Sequence, residues 1–299
     1  MKLILNDVPL HNKNTFRIGG KAKLFAQPSS ETQLLELLNY SGEKDIPVLI
    51  LGRGSNILVS DSGWDGLVIN ISENFSRLEW TGSEVQCMSG ACLDKLIMES
   101  IRRGFSGMEE LSGIPGTIGG AVTMNAGAFS SCIADTIISA RYINPATQLV
   151  HECPAGELEL GYRTSKIKRD GSILVSAEFS FSLSDPEKLH SKRMEILKRR
   201  KGKQPLEFPN CGSVFKRPRG NYAGTLIEKC SLKGYRCGDV EVSAKHANFI
   251  VNRGNGSANE VLCVINHVRK TVYQQHGILL EPEVVFAGEF DQPLYVPED

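Results

Sequence analysis

The sequence of 299 residues lacks paired cysteines, an excess of charge and any long apolar run. Its eight cysteines contain no C-x-x-C pair, so we expect reduced core thiols and no metal site. Lysine and arginine together number 34, as do aspartate and glutamate, which gives no argument for nucleic acid or an anionic membrane as a partner. No apolar run approaches the ~20 residues of a membrane-spanning helix. We therefore expect a soluble, cytoplasmic protein, and we expect it to be a monomer.

Two other roles for the cysteines are a reactive thiol and a zinc site. Cys211 precedes a candidate site residue, Ser213, so a reactive thiol is an alternative to a core thiol there. A zinc site made of Cys230, Cys237 and His246 lacks recognised ligand spacing, and we do not predict one.

Standard nucleotide-binding loops are also absent, although residues 112–127 (SGIPGTIGGAVTMNAG) contain five glycines. A P-loop needs Lys after its last glycine, but Ala121 follows Gly120, and the G-x-G-x-x-G spacing of a Rossmann fold is missing. Closely spaced glycines let successive backbone amides converge on an anionic oxygen. The segment is a candidate phosphate cradle, and a structural turn with a small-residue packing face is the alternative.

A second candidate phosphate cradle follows residues 47–51, an apolar run of strand length. Residues 52–56 (GRGSN) come directly after it, with two glycines and two small polar side chains. The sequence therefore has two loops suited to a phosphate group.

The remaining pattern predicts a mixed α+β protein in two blocks, with a boundary near a basic amphipathic helix at residues 185–203. Helices are predicted after Ser30, at residues 93–101, and from Ser257 to Gly277. Strands are predicted at residues 47–51, 67–71, 84–88, 136–143, 173–181, 213–216, 246–252 and 278–286.

Seven segments give the chain a close resemblance to the UDP-N-acetylenolpyruvoylglucosamine reductase family, over residues 14–288. They are residues 15–20 (TFRIGG), 51–56 (LGRGSN), 113–121 (GIPGTIGGA), 161–165 (GYRTS), 209–216 (PNCGSVFK), 245–252 (KHANFIVN) and 280–284 (LEPEV). The stretch between Tyr162 and Asp185 is short, so the chain resembles the shorter, type II form.

The resemblance implies a fold and a cofactor. It implies an FAD-binding region of the vanillyl-alcohol-oxidase or PCMH type at residues 1–190, with a core at about 16–182, followed by a smaller α+β substrate-binding domain at 191–299. FAD would be held non-covalently, with both glycine loops around its pyrophosphate and the adjacent flavin edge. The implied cofactor-binding residues are Gly52, Arg53, Gly54, Ser55, Asn56, Gly113, Ile114, Pro115, Gly116, Thr117, Gly119, Gly120, Ala121 and Asn125.

The resemblance also implies a reaction, in which NADPH as co-substrate reduces FAD and UDP-N-acetylglucosamine enolpyruvate is then reduced to UDP-N-acetylmuramate. Arg163 would face the negative charge that develops on the substrate, since a guanidinium stays charged and matches a carboxylate. Ser213 would donate the proton, and Glu283 would be the third catalytic residue. Glu281 is the rival carboxylate, and the protonation state of Glu283 is open.

The implied substrate-binding residues are Tyr162, Lys216, Arg217, Lys245 and His246. For the two lysines a solvated surface charge is the alternative, and His246 fits a structural role better. Tyr162 either stacks on a ring or fills core. Arg217 stands where the family commonly has Asn. Two other functions remain open at this point: an FAD-linked oxidase or dehydrogenase of the same fold, and a non-catalytic nucleotide-sugar-binding protein.

Overall fold

The computed structural model describes residues 3–297, which divide into two compact units. Unit 1 takes in Phe25–Arg53 and Leu67–Arg200, together with the start of the chain up to Ile4. Unit 2 takes in Leu5–Leu24, Gly54–Gly66 and the chain from Lys201 onward. Both units are therefore discontinuous in sequence.

The helices and strands are as follows. The helices are α1 Glu31–Glu43, α2 Leu93–Arg102, α3 Ile118–Thr123, α4 Lys166–Arg169, α5 Pro186–Lys203, α6 Ala223–Lys229 and α7 Ala258–His276. The strands are β1 Ile4–Pro9, β2 Lys21–Ala26, β3 Val48–Leu51, β4 Ile57–Val59, β5 Trp64–Asn70, β6 Leu78–Thr81, β7 Glu84–Met88, β8 Phe105–Ser106, β9 Gly127–Ala128, β10 Ser131–Cys132, β11 Ile137–Ile143, β12 Val150–Pro154, β13 Ile173–Ser180, β14 Ser182–Leu183, β15 Asn210–Ser213, β16 Arg236–Cys237, β17 Val240–Val242, β18 Phe249–Asn252 and β19 Val285–Ala287.

Unit 1 is built on a five-stranded antiparallel sheet of order β12-β11-β13-β7-β6. One apolar core joins this sheet to helices α2 and α3, with Leu96 and Ile97 from α2 and Val122 from α3 fully buried. Strand β3 pairs in parallel with the Leu67–Asn70 part of β5, so the first glycine loop leaves β3 beside a buried strand.

Unit 2 is built on a four-stranded antiparallel sheet of order β15-β18-β17-β16. Helices α6 and α7 contribute to its core, where Val261, Ile265 and Val268 of α7 are buried. Strand β19 pairs in parallel with β4, which brings the segment before β19 close to residues 54–59 of the same unit.

The predicted helices are confirmed together with their end signals. The Ser30 hydroxyl accepts a hydrogen bond from the Gln33 amide at 3.2 Å and so caps α1. Ser257 and Glu260 form a capping box at the start of α7, and Gly277 ends that helix with φ +67°.

Three predicted strands have different bounds. The strand predicted at residues 213–216 is β15, which ends at Ser213, because the chain beyond it bonds instead to Asn248, Glu281 and Glu283. The strand predicted at 246–252 begins only at Phe249. Most of the strand predicted at 278–286 is irregular, since Pro282 has no amide to donate and forms only an isolated bridge.

Within residues 3–297, no helix is long and apolar enough to cross a membrane. No group of three or more His, Cys, Asp or Glu side chains in the same part of the chain is arranged to hold a metal ion.

Candidate active site

The first glycine loop is fixed by Asn70 as the chain leaves β3. The Asn70 side-chain amide donates to the carbonyls of Leu51 at 2.9 Å and Gly52 at 2.8 Å. Its oxygen accepts from the side chains of Gln27 and Ser72, so the buried amide is held from both ends. These bonds hold the backbone of Gly52 in a single position.

Gly52 lies directly against the glycine-rich segment. A Cβ on Gly52 would stand 2.6 Å from Oγ1 of Thr117, closer than van der Waals contact permits. The Leu93 amide donates to the carbonyl of Gly116 at 3.2 Å, and Arg53 reaches the sulfur of Cys92 at 3.3 Å. The two loops that the sequence singled out therefore adjoin each other in unit 1.

Most amides of the glycine-rich segment already have acceptors within the protein. The amide of Gly113 donates to Asp94, that of Ile118 to the carbonyl of Ala91, and that of Gly119 to the carbonyl of Ser89. The expectation that successive glycine amides point at a ligand is therefore wrong for Gly113 and Gly119. Here the glycines serve close packing of the backbone instead.

Polar atoms without a partner do occur beside this segment. Among residues 3–297, the buried atoms without a hydrogen-bond partner include Oγ of Ser89, Oγ of Ser112, and Nε and Nη2 of Arg200. Ser89 lies against Gly119, where an added Cβ would be 3.2 Å from the serine Cβ. Buried polar atoms are normally satisfied, so each of these positions along the segment is suited to a polar ligand.

The continuation of the first loop, residues 54–56, belongs to unit 2. Gly54 has φ +63°, and a Cβ there would lie 2.6 Å from the Cα of Asn14, so only glycine fits without strain. The Thr15 amide donates to the Gly54 carbonyl at 3.1 Å. The Asn56 side chain donates to the Glu283 carbonyl at 3.2 Å, which ties this loop to a candidate catalytic segment.

Arg163 lies in a tight turn that the glycine-rich segment helps to position. The backbones of Gly161 and Thr164 exchange hydrogen bonds across the turn, and Arg163 adopts the left-handed φ of +57°. The Asn125 side chain donates to the Gly161 carbonyl at 3.1 Å, and Arg163 Nη2 donates to the Gly127 carbonyl at 3.4 Å. Strained backbone of this kind is often retained at functional sites.

Tyr162 lies beside Arg163 and is 58 % exposed. Its ring faces the Arg163 guanidinium at 5.3 Å. Of the two roles considered for Tyr162, the core-filling role is therefore wrong, and stacking on a ligand ring stays a prediction.

In unit 2, Ser213 and Glu283 lie on neighbouring backbone segments. Ser213 is the last residue of β15, and the Glu283 amide donates to the carbonyl of the next residue, Val214, at 2.7 Å. Both side chains are partly buried. This hydrogen bond fixes the backbone at Glu283 relative to the backbone beside Ser213, as the positioning of catalytic side chains would require.

Glu281 differs from Glu283 in its partner. The Glu281 carboxylate forms an exposed ion pair with Lys216, and its carbonyl accepts from the Lys216 amide at 2.9 Å. Residues 281–283 are not part of a regular strand, so strand alternation does not place the two carboxylates on one face. Because Glu281 is exposed and paired with Lys216, whereas Glu283 is partly buried, we favour Glu283 as the site carboxylate.

The other unit 2 candidates have protein contacts as follows. Lys245 donates to the Lys201 carbonyl at 2.7 Å and pairs with Glu207 at 3.5 Å. The Arg217 guanidinium stacks on the exposed Tyr222 ring at 4.0 Å.

His246 is held by its own loop, since its Nδ1 accepts from the Asn248 amide at 3.2 Å. Burial lowers the pKa of His246, which favours the neutral imidazole. Both observations agree with a structural role.

Cys211 has the surroundings of a core thiol. It is 3 % exposed in the core of unit 2, and burial raises its pKa to about 12. Because thiolate is the reactive form, the reactive alternative considered for Cys211 is wrong.

Comparisons with known proteins assign the family. A family model for an FAD binding domain matches residues 22–153, and one for the UDP-N-acetylenolpyruvoylglucosamine reductase C-terminal domain matches residues 204–287. The chain is 41% identical over 297 residues to the UDP-N-acetylenolpyruvoylglucosamine reductase of Caldicellulosiruptor bescii, covering 99% of this chain and 94% of the relative. This chain belongs to the UDP-N-acetylenolpyruvoylglucosamine reductase family. The resemblance drawn from the seven sequence segments is thereby confirmed.

Further relatives agree with this family. The reductase of Desulforamulus reducens is 39% identical over 281 residues, which are 94% of this chain and 92% of the relative. The crystal structure of UDP-N-acetylenolpyruvylglucosamine reductase from Thermus caldophilus superposes with a TM-score of 0.82 at 31% identity, covering 95% of this chain and 98% of that chain. The α+β fold, with an FAD-binding region followed by the family's C-terminal domain, is confirmed.

Sequence reasoning missed the residues that support the site. Asn70 and Asp94 bond directly to the two loops from positions remote in sequence, and Arg193 holds Asp94. Arg200 lies in the basic helix predicted at residues 185–203. The available signal for Asn70 was a polar residue within an otherwise apolar run, residues 67–71. For Arg193 and Arg200 the signal was helical spacing, because Leu189, Arg193, Ile196 and Arg200 lie on one buried face of α5, whereas Arg199 is exposed.

Proposed function

We propose that this chain is an FAD-containing reductase that uses NADPH to convert UDP-N-acetylglucosamine enolpyruvate into UDP-N-acetylmuramate. The observation that carries the proposal is family membership over 99% of the chain, together with the match to an FAD binding domain. The reaction is a step of peptidoglycan precursor synthesis. We place it in the cytoplasm, with the chain acting as a monomer and without a nucleic-acid or membrane partner, and with a role in cell shape and division.

The residues of unit 1 fit a phosphate-bearing cofactor. Gly52 adjoins Thr117 closely enough that any side chain there would fill the space. Among residues 3–297, the buried hydroxyls of Ser89 and Ser112, beside and within the glycine-rich segment, have no hydrogen-bond partner. FAD would be held by Gly52, Arg53, Gly113, Gly116, Thr117 and the other cofactor residues named above. Residues 1–190 would form this FAD-binding region and residues 191–299 the substrate-binding domain.

Bound FAD would supply the route by which hydride passes from NADPH to the terminal vinyl carbon of the substrate. Negative charge then develops on the adjacent carbon and its carboxylate, and that carbon takes up one proton. Arg163 would stabilise the charge, because its guanidinium is planar, permanently charged and held in a constrained turn. The Ser213 hydroxyl would donate the proton.

Glu283 would support this proton transfer from beside Ser213. As a neutral carboxyl group it would donate a hydrogen bond to the charged substrate, and as a carboxylate it would orient a water molecule. Its amide bond to the Val214 carbonyl supports the assignment, since it fixes the segment next to Ser213.

The substrate's diphosphate and sugar would be bound by Tyr162, Lys216, Arg217, Lys245 and His246. The exposure of Tyr162 supports a stacking role on the substrate. Lys216 and Lys245 already have carboxylate partners, Glu281 and Glu207, so either lysine would exchange a weak exposed ion pair for the diphosphate.

Two measurements on the purified protein test this function. Extraction and mass analysis should identify FAD, and NADPH oxidation should depend on the enolpyruvyl nucleotide sugar. Oxidation of a substrate with oxygen as acceptor would instead identify an FAD-linked oxidase. A colourless protein that cannot be reconstituted with FAD would contradict both enzyme functions.

A further inference from the structure

Arg200 is a buried cation on helix α5 whose guanidinium is not fully satisfied by the protein. It is 9 % exposed, and among residues 3–297 neither its Nε nor its Nη2 has a hydrogen-bond partner. A guanidinium in this state has given up hydration without replacing it, which costs free energy unless another group binds there.

The nearby carboxylate, Asp94, already accepts three hydrogen bonds from other donors. Arg193 binds it through two parallel hydrogen bonds of 2.7 and 2.8 Å, and the Gly113 amide adds a third at 2.8 Å. Asp94 attracts Arg200 electrostatically, but no hydrogen bond joins them. Arg193 and Arg200 thus lie near one carboxylate, and only Arg193 is hydrogen-bonded to it.

Arg200 also lies against the first glycine of the glycine-rich segment. A Cβ on Gly113 would be 3.2 Å from Cδ and 3.7 Å from Nε of Arg200. Gly113 has φ +79°, so the backbone turns sharply at the point where the guanidinium approaches it. The Phe129 ring lies 5.6 Å from the guanidinium carbon and covers it on another side.

We propose that Arg200 binds a phosphate oxygen of FAD. This inference rests on the proposed function. It goes further, because no sequence motif assigns Arg200 to cofactor binding. A planar guanidinium with unpaired N–H groups matches the geometry of a phosphate and binds it through charge-assisted hydrogen bonds. Such a phosphate would also give the buried Arg200 guanidinium the hydrogen-bond acceptors that Asp94 does not provide.

The test compares Arg200→Met with Arg199→Met. Arg199 is the adjacent residue of α5, is exposed, and loses the same charge on substitution, so it is a matched control. The FAD-free full-length proteins are titrated with FAD and with riboflavin, which lacks phosphate, and binding is followed by flavin fluorescence. Arg200→Met should weaken FAD binding by about 10- to 150-fold and riboflavin binding by less than about twofold. Arg199→Met should change neither affinity.

Thermal unfolding of the same FAD-free proteins separates ligand binding from a structural role. Removal of an unsatisfied buried cation should leave the unfolding temperature of Arg200→Met equal to or above that of the wild type. A lower unfolding temperature with equal loss of FAD and riboflavin affinity would make Arg200 structural and overturn the proposal.

Unchanged FAD affinity in Arg200→Met would also overturn it, and a raised KM for NADPH or the nucleotide sugar would then assign Arg200 to that ligand's phosphate. A wild-type protein that binds no FAD would contradict the proposed function itself, which is a different result.

Discussion

Gly52 and Thr117 lie so close that a single Cβ on the glycine would stand 2.6 Å from the threonine Oγ1. These residues belong to the two glycine-containing loops, which are more than sixty positions apart in sequence. Their contact, within one unit, brings together the two loops that we assign to FAD.

Gly52→Ala should weaken FAD binding. Overpacking of this kind costs about 1–3 kcal/mol. If this cost destabilises the FAD-bound protein, the affinity for FAD falls by about 5- to 150-fold. Gly156→Ala is the control, because no atom lies within 4 Å of an added Cβ there. Fluorescence titration with FAD measures both variants.

The clash itself can be tested with a second substitution. Thr117→Ala removes the Oγ1 that the new Cβ would meet, so Gly52→Ala should lower FAD affinity less in a Thr117→Ala background than in the wild type. An equal loss in both backgrounds would show that Gly52 matters for another reason.

Ser213→Ala should separate the two half-reactions. Reduction of bound FAD by NADPH should be nearly unchanged, whereas product formation should slow by about 10²- to 10⁴-fold, the usual contribution of a positioned proton donor. Stopped-flow absorbance of the flavin follows each half-reaction. Ser191→Ala, an exposed serine of α5, serves as control. Equal loss in both half-reactions would make Ser213 structural.

The two glutamates near Pro282 should behave differently. Glu283→Gln should lower kcat severely, whereas Glu281→Gln should lose only its exposed ion pair with Lys216, worth about 0–1 kcal/mol. Steady-state kinetics and thermal unfolding of both variants make the comparison. If Glu281→Gln proves the slower enzyme, the assignment of Glu283 is wrong.

Asp94 should contribute stability that depends on pH. Burial acts to raise the pKa of Asp94, but hydrogen bonds from Arg193 and Gly113 outweigh it and hold the pKa below its ordinary value. A lowered folded-state pKa means that this stability is present above the unfolded-state pKa and is lost as the pH falls through the folded-state value. The stability difference between wild type and Asp94→Asn should therefore be constant from pH 7 to 5 and shrink below about pH 4.

Chemical denaturation of the FAD-free proteins at several pH values checks this prediction. At pH 7 the substitution should cost about 1.5–3 kcal/mol, the range for hydrogen bonds to a charged group. Asp65→Asn, which removes an exposed pair with Lys23, should show little effect at any of these pH values. A difference that is equally large at pH 3 and pH 7 would exclude the ionised carboxylate as its source.

The sequence predicted helices α1, α2, α5 and α7 and singled out both glycine loops, because each depends on a local pattern of caps, apolar spacing or glycines. The candidate catalytic residues follow from the family motifs and stay a prediction. Sequence patterns failed where distant segments decide the structure. Residues 278–284 have an apolar pattern typical of a strand, but they bond to the loop after Ser213 instead. The Arg193–Asp94 pair joins residues 99 positions apart. Because Asp94 bonds to Arg193, it is not the hydrogen-bond partner of Arg200, and the sequence alone does not show this.

The measurement that tests the central claim most directly is an anaerobic two-step reaction of the purified protein. NADPH should first bleach the absorbance of the bound FAD, and addition of UDP-N-acetylglucosamine enolpyruvate should then restore the oxidised spectrum with formation of one UDP-N-acetylmuramate per flavin. A flavin that stays reduced until oxygen is admitted would contradict the account and identify an oxidase.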